Sequence, residues 1–324
     1  MGLKNYTALS IRKEMVMNVI LILAALYVIY SLFTVNLILG IVGVVAFLLY
    51  GYFKWYPKFC VYQARKVYRK DSERAMKWFE RAEKRKMNIG QMELYAYYLM
   101  REGKVEKSEE IYKKLLAAPL RPELRLKIRA EHAVLLSKTG RIDEAIEELE
   151  EITVHYTNTT TYGSLGYLYI LKDSVRKATN YNLEAYDYNS DDPVILDNLT
   201  QLYIKLGDFK KAKKYADEML DKKPYFAEAY YDSAFVYMKL GDISRAKELL
   251  EDARCCRLTF MSTVKEEDIN ALSDAIESGK HQEFSHKLGK FSGKEEVEEV
   301  DEDLPQIEEE KETEKYEYED DPFI

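Results

Sequence analysis

The sequence predicts an all-α chain: an N-terminal transmembrane helical hairpin, an α-solenoid of helix pairs, and a disordered acidic tail. Three observations carry that prediction. Residues 16–53 contain no Asp, Glu, Lys or Arg, a short block recurs after 34 residues, and residues 295–324 hold 16 Asp or Glu against two Lys. The composition agrees, because Tyr is abundant (27) while Gly (14) and Pro (7) are scarce among 324 residues, which favours long helices over a turn-rich sheet.

The apolar run comes first. A bilayer core takes roughly 20 helical residues, so Val16 to Phe53 suits two spans joined by a reversal within Ser31 to Asn36, where Thr34 and Asn36 supply polar turn chemistry. A cleavable signal peptide has a shorter apolar region and a small-residue cleavage site, and the run has neither. Lys4, Arg12 and Lys13 precede it, and Lys54, Lys58, Arg65, Lys66, Arg69 and Lys70 follow it. The positive-inside rule then places both ends in the cytoplasm. Tyr27, Tyr30, Tyr50, Tyr52, Trp55 and Tyr56 cluster toward the span ends, as interfacial aromatics do. Gly40 and Gly43 lack the four-residue spacing of the small-residue dimer motif and read as ordinary packing.

The repeat is visible in LYIKLGDFKKAKKYADEM and VYMKLGDISRAKELLEDA. Tyr203, Leu206, Gly207, Asp208 and Ala212 recur as Tyr237, Leu240, Gly241, Asp242 and Ala246. Stepping back finds Leu165, Gly166, Tyr169, Ala178 and Ala185, with Asp173 where the inter-helix glycine falls. Further back lie Ala133, Gly140, Ala145 and Leu149, then Ala96, Gly103, Ser108 and Tyr112. The step from Gly103 to Gly140 is 37, the excess absorbed by Pro119 to Pro122 in the register of the sequence. Before these, Ala75, Phe79 and Ala82 keep the spacing of a second helix. Apolar residues at helical spacing, such as Leu196, Leu199, Leu202, Tyr203 and Leu206, make one buried face per helix, and small residues let paired helices approach.

This pattern, over about residues 57–258, resembles the tetratricopeptide repeat family. The resemblance implies stacked helix pairs, a right-handed superhelix and an extended concave surface lined by the first helix of each pair. Four full repeats are expected over 89–258 after a degenerate one at 57–88. The boundaries are completed by a cytoplasmic N-terminus at 1–14, transmembrane helices at 15–35 and 36–56, a capping helix region at 259–290 and a disordered acidic tail at 291–324.

On the concave side, the residues off the buried face are expected to be Glu93, Tyr97, Glu131, Val134, Tyr167, Asn198, Gln201, Asp232 and Phe235. They are the candidate protein-binding residues. Tyr97, Tyr167 and Phe235 are either peptide anchors or inter-repeat packing. Some family members clamp chaperone C-terminal carboxylates with cations at successive first helices. Here Glu228 and Asp232 stand where cations would be needed, which excludes that clamp.

Residues 264–278 read as one more amphipathic helix ending at Gly279, a polar cap over the last repeat. The acidic tail either solubilises the chain or contacts a basic partner or the basic juxtamembrane helices. Residues 295–324 balance to −14, so the rest of the chain carries +6 of the net −8.

No catalytic pairing, phosphate-binding glycine loop or metal motif stands out. His132, His155, His281 and His286 are scattered, with His281 and His286 expected on a polar C-terminal surface, and Cys60, Cys255 and Cys256 form no disulfide framework. The sequence therefore predicts no enzyme, no cofactor, no nucleic acid and no small-molecule substrate. It predicts a membrane-anchored adaptor whose repeats bind a protein or peptide in the cytoplasm, with residues 16–53 in the bilayer. The alternative is a structural or assembly subunit of a larger membrane complex, contacted mainly through its hairpin. The Lys/Glu-rich, cysteine-poor composition points to a bacterial plasma membrane.

Overall fold

A computed structural model describes residues 2–291, with side chains from Val16 onward except Asn18. Of the acidic tail expected at 291–324, all but Phe291 lies outside the described residues, and the side chains of Lys4, Arg12 and Lys13 lie outside the described side chains. The described chain is all-helical, with 14 helices and no strand.

Two long helices open it: α1 (Gly2–Val35) and α2 (Leu37–Tyr68). Asn36 alone separates them. Its extended backbone ends α1, and its side chain accepts from the Ile38 amide at 2.8 Å, capping α2. The helices pack closely because Gly40 has no side chain; a Cβ there would lie 2.3 Å from the Phe33 ring. Leu37–Tyr68 is the one helix among the described residues with the length and apolarity to cross a membrane, and Val19–Val35 is a shorter apolar stretch.

The character of α2 changes along its length. Leu37, Ile38, Ile41 and Val42 are exposed, whereas Cys60, Val61, Ala64 and Tyr68 are buried against α3 (Ser72–Glu83). One unbroken helix therefore begins as apolar outer surface and ends as the first helix of the solenoid. Pro57 lies inside it.

Five helix pairs follow: α4 (Ile89–Arg101) with α5 (Val105–Leu116), α6 (Pro122–Lys138) with α7 (Ile142–Thr153), α8 (Thr159–Leu171) with α9 (Val175–Tyr188), α10 (Pro193–Leu206) with α11 (Phe209–Asp221), and α12 (Ala227–Lys239) with α13 (Ile243–Cys255). This is one more than the four expected over 89–258. The first pair carries Ala96, Gly103, Ser108 and Tyr112, which stand in the pattern of the sequence once the 37-residue step to Gly140 is allowed for.

The turns inside the pairs place Gly103, Gly140, Asp173, Gly207 and Gly241 at positive φ (+69°, +82°, +54°, +78° and +89°). Asp173 takes the left-handed conformation that glycine takes elsewhere, at a cost of roughly 1–2 kcal/mol. Buried Lys205 offsets this by binding the Asp173 carboxylate and donating to the Ile170 carbonyl at 3.0 Å.

Small residues set the approach of paired helices. Ala133, Ala145, Ala178, Ala212 and Ala246 are fully buried, and Ser108 is buried with its hydroxyl donating to the Ala96 carbonyl. The buried side chains form two main clusters that meet on α6: Ile128 and Leu135 belong to the N-terminal one, Ala130, Ala133 and Leu136 to the other. Each fully buried leucine, such as Leu149, Leu199 or Leu202, contributes about 1.5–3 kcal/mol.

The last helix, α14 (Glu266–Glu277), lays Ile269, Leu272 and Ile276 into the C-terminal cluster against α12 and α13, and Gly279 follows it at φ +71°.

Candidate functional site

The face expected to be concave belongs to the first helices of the pairs, α4, α6, α8, α10 and α12, and the chain's own C-terminal residues cover much of it. After α13 the backbone crosses back to the start of the solenoid. Arg257 donates to the Tyr68 carbonyl (3.3 Å) and to Glu102 (3.0 Å), and the Phe260 amide donates to the Arg101 carbonyl at 3.3 Å. The path then returns along the face. Lys138 on α6 donates to the Met261 carbonyl at 2.6 Å, and Glu228 on α12 accepts from the Thr263 amide at 2.5 Å and the Val264 amide at 3.4 Å. An open cleft of about 540 Å³ remains beside this crossing, bordered by Lys138, Tyr167, Leu171, Leu258, Phe260 and Thr263.

Residues 280–291 cover the other end of the face. His286 Nε2 is 2.8 Å from Asp232 Oδ1, and its ring lies 4.8 Å from Phe235 and 5.5 Å from Tyr231. The Phe284 ring centre lies 6.3 Å from that of Phe235, and Lys239 donates to the Gln282 carbonyl at 2.9 Å. Phe291 places its ring 4.5 Å from Lys205 Nζ. The consequence is plain on α10, where every residue from Ile195 to Lys205 is buried.

This overturns the expected exposure of much of the face. Glu93, Asn198, Gln201, Asp232 and Phe235 are buried. Glu93 pairs with Lys127 at 2.7 Å, and Asn198 donates to the Gly163 carbonyl at 2.8 Å. Gln201 donates to both Asp197 (2.9 Å) and Asp232 (2.8 Å). Glu131, Val134, Tyr97 and Tyr167 are half-buried. Tyr112 donates to Glu131 at 3.3 Å, Val134 packs in the N-terminal cluster, Arg101 lies over the Tyr97 ring, and Lys138 lies 5.9 Å from the Tyr167 ring centre. His286 is likewise buried, contrary to its expected place on a polar surface, because it meets Asp232 and two aromatic rings.

Carboxyl groups crowd the face at two points. Burial, then the Glu93 carboxylate, holds Glu131 well above the usual carboxylate range. Burial, then Asp232 and Glu228, does the same to Asp197. Asp197 Oδ1 and Gln201 Oε1 are buried and have no hydrogen-bond partner among the described residues. The neighbouring carboxylates accept from N–H donors of the chain itself, Asp232 from the Gln201 amide and Glu228 from the Thr263 amide.

Residues 203–254 match the tetratricopeptide repeat family. They are tetratricopeptide repeats. They run from the end of α10 through α13, and the all-helical repeat fold extends the same architecture to the earlier pairs. PilW, described as a widely conserved type IV pilus biogenesis factor, superposes with TM-score 0.50 at 14% identity, over 67% of this chain and 98% of PilW. A tetratricopeptide repeat protein from Parabacteroides merdae gives 0.48 at 14% identity, over 70% of this chain and 87% of its own. PilF of Pseudomonas aeruginosa gives 0.47 at 16%, over 63% and 92%. No curated protein matches the chain. Repeats of this family are in general protein-binding scaffolds, and the match at residues 203–254 supports a protein-interaction role for that part of the chain.

Proposed function

We propose that the chain is a membrane-anchored tetratricopeptide adaptor, held by the α1–α2 hairpin in a bacterial plasma membrane, whose concave surface binds a protein or peptide on the cytoplasmic face. The observation that carries this reading is the continuity of α2. A helix that exposes Leu37, Ile38, Leu48 and Leu49 and then buries Cys60, Ala64 and Tyr68 couples an apolar hairpin rigidly to the repeat array. Exposed side chains of that kind over an 18-residue window are stable in hydrocarbon and costly in water. The cations Lys54, Lys58, Arg65 and Lys66 follow the apolar part, where they would meet anionic headgroups on the cytoplasmic side. Confinement to the bilayer raises the effective concentration of the array toward neighbouring membrane proteins.

A second reading, a structural or assembly subunit contacted mainly through its hairpin, draws on the same exposed helices and on the cover over the concave face. Replacing residues 1–55 with a foreign membrane anchor separates the two. An adaptor retains its partners in co-purification; a subunit recognised through its hairpin loses them.

A further inference from the structure

The concave face carries an acidic, aromatic-edged recess at its C-terminal end, and its occupant has the matching chemistry. The floor is Asp197 and Gln201 from α10 with Glu228, Asp232 and Phe235 from α12, all buried. Asp232 meets the imidazole of His286, Glu228 accepts from the Thr263 amide, and the Gln201 amide donates to both Asp197 and Asp232. The contacts already made there come from amide N–H groups and an imidazole, so the recess suits N–H donors and organic cations. Gln201 Oε1 is buried without a partner among the described residues, an acceptor still short of a donor.

The segment over the recess, Lys280-His-Gln-Glu-Phe-Ser-His-Lys-Leu-Gly-Lys-Phe291, contains three Lys and two His against one Glu, and two Phe. It forms no helix. It is held by side-chain contacts and single donors: His286 on Asp232, Phe284 against Phe235, Phe291 over Lys205, Lys239 on the Gln282 carbonyl, and Lys287 on Asp268 and the Thr263 carbonyl. A basic-aromatic segment thus sits in an acidic-aromatic recess, in the manner of a bound peptide.

We propose that this recess is a peptide site for a segment bearing an aromatic residue and, two positions on, a cationic or imidazole side chain, and that Phe284 and His286 fill it in cis until a partner segment of that chemistry displaces them. This rests on the adaptor reading and specifies which part of the concave face the partner uses. Because a tethered competitor must leave first, the affinity for a partner is reduced by the fraction of molecules in which the recess is open.

The test uses the full chain in detergent and a fluorescent peptide copied from residues 280–291 as probe. The Phe284→Ala/His286→Ala chain should bind the probe saturably, on the order of tenfold or more tightly than the wild type, which competes with itself. A probe with Ala at the Phe284 and His286 positions should bind poorly, and adding Asp232→Asn to the variant chain should abolish the difference between probes. Amide exchange on the wild type supplies a readout without substitution: excess probe should accelerate exchange at 280–291 and leave α6 to α9 unchanged. Equal binding of both probes, or no binding to the variant together with unchanged exchange in the wild type, overturns the proposal. Probe binding with no protein partner at the recess would sink the adaptor reading alone. Partner retention unaffected by Asp232→Asn, with no probe binding, would sink the recess and spare the adaptor.

Discussion

His286 meets Asp232 across 54 residues of sequence, with imidazole Nε2 2.8 Å from the carboxylate and the Phe235 ring alongside. The contact fastens a non-helical C-terminal segment to α12, the first helix of the last pair, on the face that such arrays use for binding. Its removal should therefore free the segment without unfolding the array. His286→Ala is expected to raise amide exchange at 280–291 several-fold while α4 to α9 keep wild-type protection; a global rise in exchange would mean that the pair holds the whole solenoid.

The acid beside this contact makes stability depend on pH. Burial, with Asp232 and Glu228 nearby, raises Asp197 in the folded state. The folded protein then holds that proton more tightly than the unfolded chain, so this group costs stability as pH rises from the ordinary Asp range through the raised value. Asp197→Asn should be more heat-stable than the wild type at pH 8, by on the order of 2–4 °C for each ~1 kcal/mol. The advantage should vanish as pH falls to about 4. A constant advantage at both ends would show that the carboxylate's titration is not the cause.

Helix approach in the third of the five pairs depends on Gly166. A Cβ there would lie 2.2 Å from Asn182 Oδ1, and Asn182 is fully buried with its amide on the Gly166 and Ala178 carbonyls. Gly166→Ala should destabilise by about 1–3 kcal/mol in denaturant unfolding. Pairing it with Asn182→Ala should recover part of the loss, and additivity of the two substitutions would refute the contact as its origin.

The turn residues Gly207 and Asp173 share a left-handed backbone but not a function. Gly207→Ala has open space around its Cβ and should cost about 1 kcal/mol through backbone strain alone. Asp173→Ala keeps a non-glycine residue there and also strips the buried Lys205 ammonium of its carboxylate, so roughly 2–4 kcal/mol is expected once partial exposure of Asp173 is allowed for. Comparable losses at the two sites would show that Lys205 is satisfied without Asp173.

Much of the helix architecture was legible because small and apolar residues must recur wherever one pair stacks on the next. Tyr203, Gly207 and Ala212 predict Tyr237, Gly241 and Ala246 for that reason, and even Asp173 revealed a turn by its phase. The concave surface was not legible in the same way. Its residues are free to vary between repeats, and the segment that covers them has no periodicity: Phe284, His286 and Phe291 find Phe235, Asp232 and Lys205 only through the fold. One signal was available, the basic and aromatic composition of 280–291 immediately before an acidic run, opposite the acids Glu228 and Asp232.

The most direct test of the account is quantitative co-purification from the protein's own membranes, comparing the wild type, Phe284→Ala/His286→Ala, and that variant with Asp232→Asn and Phe235→Ala. The account predicts that one or more partners are retained more strongly when the covering segment is weakened and are lost when the recess itself is altered. Equal retention by all three chains would contradict it and place the partner contact elsewhere, on the hairpin or on the acidic tail.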